Sequence, residues 1–411
     1  MRIRSTFALL FAALLPAGAA TANEPYARVT DQPDATVVLE MASRTFEPDS
    51  PDRPRVHLVS AIHIADAPYY DAVQTLLETY DTVLYEGVKP AGLDPIDPDL
   101  DDQAKIDATR DRLRLLVQIA TQYHAGHSAF PDGFGALANA DDKRIAAIVE
   151  SVKLDAWGNH FAMDHIVTQD DDQQSSRVVF TSYGADAQPG GEGINADLSD
   201  STEAVGSDES VQTPEGIQTQ LANALRVEFQ LDAMDTTNPA WVNADMDINQ
   251  LQHALSEYGD DSLAILDMLE GQSFSAKIAG FVLGFISRSP QLSSMMKLVM
   301  MDMLALVETS GVLEQQEAMH AVIVEGRNQV VIEYLKDTIA KHPGYKDIAI
   351  FYGAGHMPGL EESLIEMGYT PAGDHWIPAM SVDPKDTGLS DAQIKMMRNM
   401  IKNSLQQQFG R

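Results

Sequence analysis

Asp347-Ile348-Ala349-Ile350-Phe351-Tyr352 runs without a break into Gly353-Ala354-Gly355-His356. A short, nearly continuous apolar run bounded by glycines reads as a strand buried on both faces. Gly353 and Gly355 remove side chains beside His356, so backbone or a ligand can come close to it. Two earlier stretches have the same form. Val56-His57-Leu58-Val59-Ser60-Ala61-Ile62-His63 ends in a histidine, and Thr82-Val83-Leu84-Tyr85-Glu86 ends in a carboxylate. A helix-like stretch from about Tyr69 to Tyr80 separates them, and Val37-Val38-Leu39 adds a strand-like run just after Ala35. Strand, helix, strand is the signature of a sheet with helices packed on it, so the expected class is α/β (α+β) with a mixed sheet flanked by helices.

Outward from these runs the chain changes character. Pro90 to Asp102 carries Pro90, Pro95 and Pro98 among aspartates and reads as a linker. Ile106, Leu113, Leu116, Val117, Ala120 and Tyr123 then recur at helical spacing. A Gly- and Asp-rich stretch follows to about Ser210, and long helical patterns return after Pro214. Ala276 to Val307 is apolar, with Met295, Met296, Met300, Met301 and Met303. Arg288, Ser289-Pro290 and Lys297 interrupt it, so it is not a membrane span. The methionines read either as core filling or as an adaptable apolar cleft for a peptide or lipid. A last helix is expected from Ser390, with Gln393 completing a capping box. There are no internal repeats.

The 411 residues carry 28 basic and 61 acidic side chains, a formal charge of −33. That excess argues against nucleic acid and anionic membranes as partners and fits a chain that uses cations. With no cysteine, disulfides and thiolate catalysis are excluded. Arg2, Arg4, the apolar run Phe7 to Leu15 and Ala20-Thr21-Ala22 form a secretory leader over residues 1–22, which places the protein in the periplasm or outside the cell. An uncleaved anchor is the other reading of that segment. No transmembrane span is expected in the mature chain.

Two imidazoles and a carboxylate at strand ends suit an open, catalytic metal centre, because three protein ligands leave a position for water or substrate. Any one histidine at a strand end is more often structural. Ser60-Ala61-Ile62-His63, Tyr80-Asp81-Thr82-Val83-Leu84-Tyr85-Glu86-Gly87 and Gly353-Ala354-Gly355-His356-Met357-Pro358-Gly359-Leu360 together resemble the TraB/GumN/Tiki family. Gly326-Arg327-Asn328, Phe229-Gln230-Leu231-Asp232-Ala233-Met234-Asp235 and Ala244-Asp245-Met246 support the likeness. Ser60 stands where that family has glycine. The resemblance implies metal ligands His63, Glu86 and His356, with Glu86 and Arg327 as candidate catalytic residues. The ion would be Mn, Co or Zn. A bound water would attack an amide or ester carbonyl, with Arg327 either stabilising the oxyanion or pairing with Glu86. Arg327 also reads as a buried ion pair that fixes the sheet.

A second resemblance lies between these pieces. The helix Ile106 to Tyr123, Phe130-Pro131-Asp132-Gly133-Phe134-Gly135-Ala136-Leu137, Asp155-Ala156-Trp157-Gly158-Asn159-His160-Phe161 and Thr181-Ser182-Tyr183-Gly184-Ala185-Asp186 are similar to the type II secretion pseudopilin GspG. Pro189-Gly190-Gly191-Glu192-Gly193 and Ala196-Asp197-Leu198 continue the match. Carboxylates flanking a glycine-rich loop can converge on a hard cation that takes many oxygen ligands. The resemblance implies calcium at Asp186 and Asp197, with Ser182 adding an oxygen. The long hydrophobic helix of a pilus subunit is missing, so the expectation is a small α+β pilin-like domain inserted in a host.

The expected layout is residues 35–100 and 210–380 as a discontinuous TraB/Tiki-like host, 101–205 as the calcium-binding insert, and 381–411 as a C-terminal helix. The expected function is an exported metal-dependent hydrolase of peptide or small-molecule substrates. The competing expectation is a non-catalytic, calcium-stabilised binding protein that partners a type II secretion component or the cell envelope.

Overall fold

The structure is a computed structural model, and it describes residues 25–93, 95–138, 143–170, 173–206, 225–257, 289–310 and 320–409. The expected leader and the part of the apolar stretch from Ala276 that precedes Ser289 lie outside the described residues. Among the described residues, no helix is long and apolar enough to cross a membrane.

The chain forms a mixed sheet flanked by helices. Its first strands are β1 (Ala27–Asp31), β2 (Val37–Pro48), β3 (Arg55–Ala61), β4 (Ile64–Ala65) and β5 (Thr82–Tyr85). Next come β6 (Ala162–Asp170), β7 (Gln173–Ser182), β8 (Leu198–Ser201) and β9 (Val205–Gly206). The last are β10 (Glu228–Phe229), β11 (Trp241–Asn243), β12 (Asp347–Gly353) and β13 (Tyr369–Val382). The main sheet runs β1-β2-β3-β12-β5-β11, with β13 on the other side of β2. Strands β3, β12, β5 and β11 are parallel; β1, β2 and β13 pair antiparallel. The layer begins at Ala27, ahead of the Ala35 read from sequence, because β1 pairs with Val37–Met41.

Alternating side chains explain the two faces. Val59, Ala61, Val83, Ala349 and Phe351 pack with the helices Ala67–Leu77 and Pro290–Ser310. Val56, Leu58, Leu84, Ile350 and Tyr352 pack with the helices Arg327–Lys341 and Met357–Glu366. Both faces are covered, so the central strands are apolar along runs of neighbouring residues rather than only on every second one, with His57, Ser60 and Thr82 as buried polar exceptions. Met301 is buried and Met296 and Met300 pack against the first core, while Met303 is exposed. That is core filling by flexible side chains. The final helix starts at Asp391, with Gln393 Oε1 accepting from the Ser390 amide at 2.9 Å, and its Ile394 joins the first core.

A separate apolar cluster belongs to residues 93–205. The helix Asp102–His127, capped by the Asp101 side chain on the Ala104 amide at 2.8 Å, lays Leu113, Leu116, Ile119 and Ala120 on Val178 and Phe180 of β7. Strands β6 and β7 form a hairpin, extended by β8 and β9 along β7. This sheet shares no strand with the main one.

Candidate functional site

Ligands and reactants of parallel α/β sheets gather beyond the carboxyl ends of the strands. Here β5, β11 and β12 end side by side. Glu86 follows β5 and keeps its backbone amide on Phe351 O at 2.9 Å. Asp245 follows β11 and is fully buried. His356 closes the short turn after β12 and is buried. The helix Arg327–Lys341 starts against them and delivers Arg327 and Asn328 in its first turn.

Arg327 ties the carboxylates together. Its Nε and Nη2 donate to Asp245 Oδ1 and Oδ2 at 2.9 and 2.6 Å. Nη2 also donates to Glu86 Oε1 at 2.7 Å. Asp245 accepts two further bonds, from the Gly87 amide at 2.9 Å and the Met246 amide at 2.7 Å. Glu86 Oε2 accepts from the Gly353 amide at 2.5 Å. Gly353 eases that approach: a Cβ there would sit 3.2 Å from Oε2, so the carboxylate would have to give by a few tenths of an ångström.

Charge follows from this wiring. Burial alone would raise the Glu86 pKa; the charges of His356, Arg327 and His63 and the Gly353 amide outweigh it and hold the carboxyl down to about 2. Burial pushes His356 down to about 4, with Arg327 and His63 adding to the effect and Glu86 and Asp245 opposing it. Burial disfavours the Arg327 charge as well, but the bonds to Asp245 and Glu86 more than restore it and raise its pKa. At neutral pH the cluster therefore sets an ionised Glu86 and the Arg327 guanidinium beside a neutral His356 imidazole.

His356 Nε2 lies 3.6 Å from Glu86 Oε1 and 3.5 Å from Arg327 Nη1. Its Nδ1 lies 2.8 Å from Asn328 Oδ1, and its backbone oxygen accepts from Asn328 Nδ2 at 3.1 Å. His63 follows β3 and is exposed, near enough for its charge to act on both Glu86 and His356. Its carbonyl accepts from the Gln230 amide at 2.7 Å. A 3.6 Å separation suits two ligands of one ion held at ~2.0–2.3 Å. Among the described residues, no three His, Cys, Asp or Glu side chains are already grouped to hold a metal; the exposed His63 would have to swing in as the third. Asp245 and Asn328 were not singled out from sequence as site residues. Their signal was present in the Ala244-Asp245-Met246 and Gly326-Arg327-Asn328 segments.

The residues expected to bind calcium sit elsewhere: Ser182 ends β7, and Asp186 and Asp197 are on the loop between β7 and β8. Asp186 Oδ1 accepts from the Gln188 amide at 3.1 Å, and Asp197 Oδ1 accepts from the Gly190 amide at 2.9 Å. The Ser182 hydroxyl is fully buried, donating to Asp155 Oδ2 at 2.6 Å and accepting from the Gly184 amide at 3.2 Å. Asp155 Oδ1 also accepts from the amides of Trp157 and Asn159, at 3.0 and 2.8 Å. Asp155 is thus the hub of the turn, a role the sequence reading left out.

A family model described as type II secretion system (T2SS), protein G matches residues 99–201, about a quarter of the chain. No curated protein and no solved structure matches it. Residues 99–201 are therefore a domain similar to that secretion protein, two residues earlier at the start and four shorter at the end than the 101–205 read from sequence.

Proposed function

We propose that the protein is an exported, metal-dependent hydrolase of the TraB/Tiki type, acting on a peptide or peptide-like substrate, with the protein G-like domain spliced into its chain. What carries this reading is the buried convergence of Glu86, Arg327 and His356 at the ends of parallel strands, with the His356 Nε2 only 3.6 Å from Glu86 Oε1. His63, Glu86 and His356 would hold the ion. A bound Mn, Co or Zn ion would polarise the scissile carbonyl and lower the pKa of a bound water. Arg327 keeps Glu86 ionised, and its Nη1 is a donor beside the reacting position, suited to a developing oxyanion. Asp245 holds the guanidinium in place through two bonds.

Elemental analysis of the purified protein beside His356→Ala tests this. The expected result is a bound transition metal in the wild type that is lost in the variant together with ester or peptide hydrolysis. A wild type that stays metal-free after exposure to Mn, Co and Zn rejects the reading.

The match of residues 99–201 favours a second role: association with type II secretion, stabilised by calcium at Asp186 and Asp197. The two roles are compatible in one chain.

A further inference from the structure

We infer that Asn328 is a positioning residue that locks His356 as the Nδ1–H tautomer and so leaves Nε2 as an unprotonated lone pair facing Glu86. The inference takes as its setting the site proposed above. It stands on donor and acceptor types, not on the ring's titration.

The amide comes first. Asn328 Nδ2 is 3.1 Å from the His356 carbonyl oxygen. A carbonyl only accepts, so the amide nitrogen must face it; the flipped amide would set two acceptors against each other. The other amide atom, Oδ1, then faces His356 Nδ1 at 2.8 Å. Oδ1 only accepts, so Nδ1 carries the hydrogen. The far side of the ring holds both an acceptor and a donor: Glu86 Oε1 lies 3.6 Å from Nε2. Arg327 Nη1 lies 3.5 Å from Nε2 and can only donate. The Nδ1 side, where both amide atoms of Asn328 have a partner of fixed type, therefore decides the tautomer.

Packing makes the lock firm. The Tyr352 ring stands edge-on to the imidazole, at 5.3 Å and 77°, which sets the ring plane. Gly359 leaves room for the amide, since a Cβ there would lie 2.8 Å from Asn328 Nδ2. Asn328 also neighbours Arg327, so one helix start supplies both the cation for the carboxylates and the acceptor for the imidazole. The opposite tautomer would point an N–H at the guanidinium and remove the lone pair that a metal ion or a proton needs.

Long-range proton–nitrogen correlation of ¹⁵N-histidine-labelled, metal-free full-length protein at neutral pH tests this, with His356 assigned by the signal lost in His356→Ala. The wild type is expected as the Nδ1–H form. Asn328→Asp, which keeps an acceptor, is expected to retain it, and Asn328→Leu to move the ring toward Nε2–H. Gly359→Ala, which crowds the amide, is expected to shift it in the same direction as Asn328→Leu. A wild type in the Nε2–H form overturns the inference even if no variant folds. So does a folded Asn328→Leu with unchanged ring signals. A zinc titration separates this from the hydrolase reading. Asn328→Leu is expected to weaken zinc binding about 10- to 100-fold. A wild type that shows Nδ1–H but binds no metal supports the Asn328 assignment and rejects the metal centre.

Discussion

Two acidic clusters in this molecule are built on opposite plans. In the first, Glu86, Asp245, Arg327 and His356 come from separate strands and helices, and their bonds span as many as 267 residues of sequence. In the second, Asp155, Asp186 and Asp197 accept mainly from backbone amides two to seven residues away. The first can exist only once the sheet has closed; the second is a set of local turns. Charge is handled differently too. The sheet cluster is tied by a guanidinium that bonds two carboxylates, whereas Asp155, Asp186 and Asp197 accept from backbone amides and, at Asp155, from the Ser182 hydroxyl.

The largest test of that contrast is Asp245→Ala. It strips a buried guanidinium of a bidentate partner and leaves two backbone amides unpaired. Breaking a buried pair from one side costs about 3–5 kcal/mol, against about 1–3 kcal/mol for Ser182→Ala in the loop, where a neutral hydroxyl is lost. Denaturant titration of both variants gives the ranking; a smaller loss for Asp245→Ala would break the comparison.

Next comes pH. His356 falls from its ordinary 6.5 to about 4 in the folded state. Its neutral form is favoured by folding, so that stability is fully present above pH 6.5 and is lost as pH falls toward 4. The span corresponds to about 3 kcal/mol. His57 is also pushed down by burial and has the same sign. The quantity to measure is therefore the difference between wild type and His356→Gln over that window, which should shrink on acidification. An unchanging difference would show that the imidazole is not held neutral.

The smallest effect sharpens the other half. Calcium at ~100 times its dissociation constant should add about 2.7 kcal/mol to the stability of the domain at residues 99–201, and Asp186→Ala should abolish the gain. Thermal melts with and without calcium decide it, and a melt that calcium leaves unmoved removes the loop site.

Much of the sheet cluster was legible because strands buried on both faces are unmistakable apolar runs, and His63, Glu86 and His356 stand at their ends. Arg327 entered only through family resemblance. Asp245 was missed as a site residue because β11 spans just Trp241–Asn243, too short to show a period. Asn328 reads as an ordinary polar residue at a helix start until the imidazole is placed against it. The helix read as Ile106 to Tyr123 runs from Asp102 to His127; its ends are charged and polar, so apolar spacing could not mark them. The hairpin β6–β7 was hidden for a related reason, since Gln, Ser and Asp fill much of its exposed face.

The chain leaves the main sheet just past Gly87, whose amide is held by Asp245, and Lys89 is bridged to Asp247. It returns through β10, which pairs with β4, and through the Gln230 amide on the His63 carbonyl. Among the described residues, the segments that flank residues 99–201 thus carry Gly87, bonded to Asp245, on one side and Gln230, bonded to the His63 carbonyl, on the other. A pull on residues 99–201 passed along the chain would meet the Asp245-held Gly87 amide and the bond from Gln230 to His63 before it met the apolar layers of the main sheet.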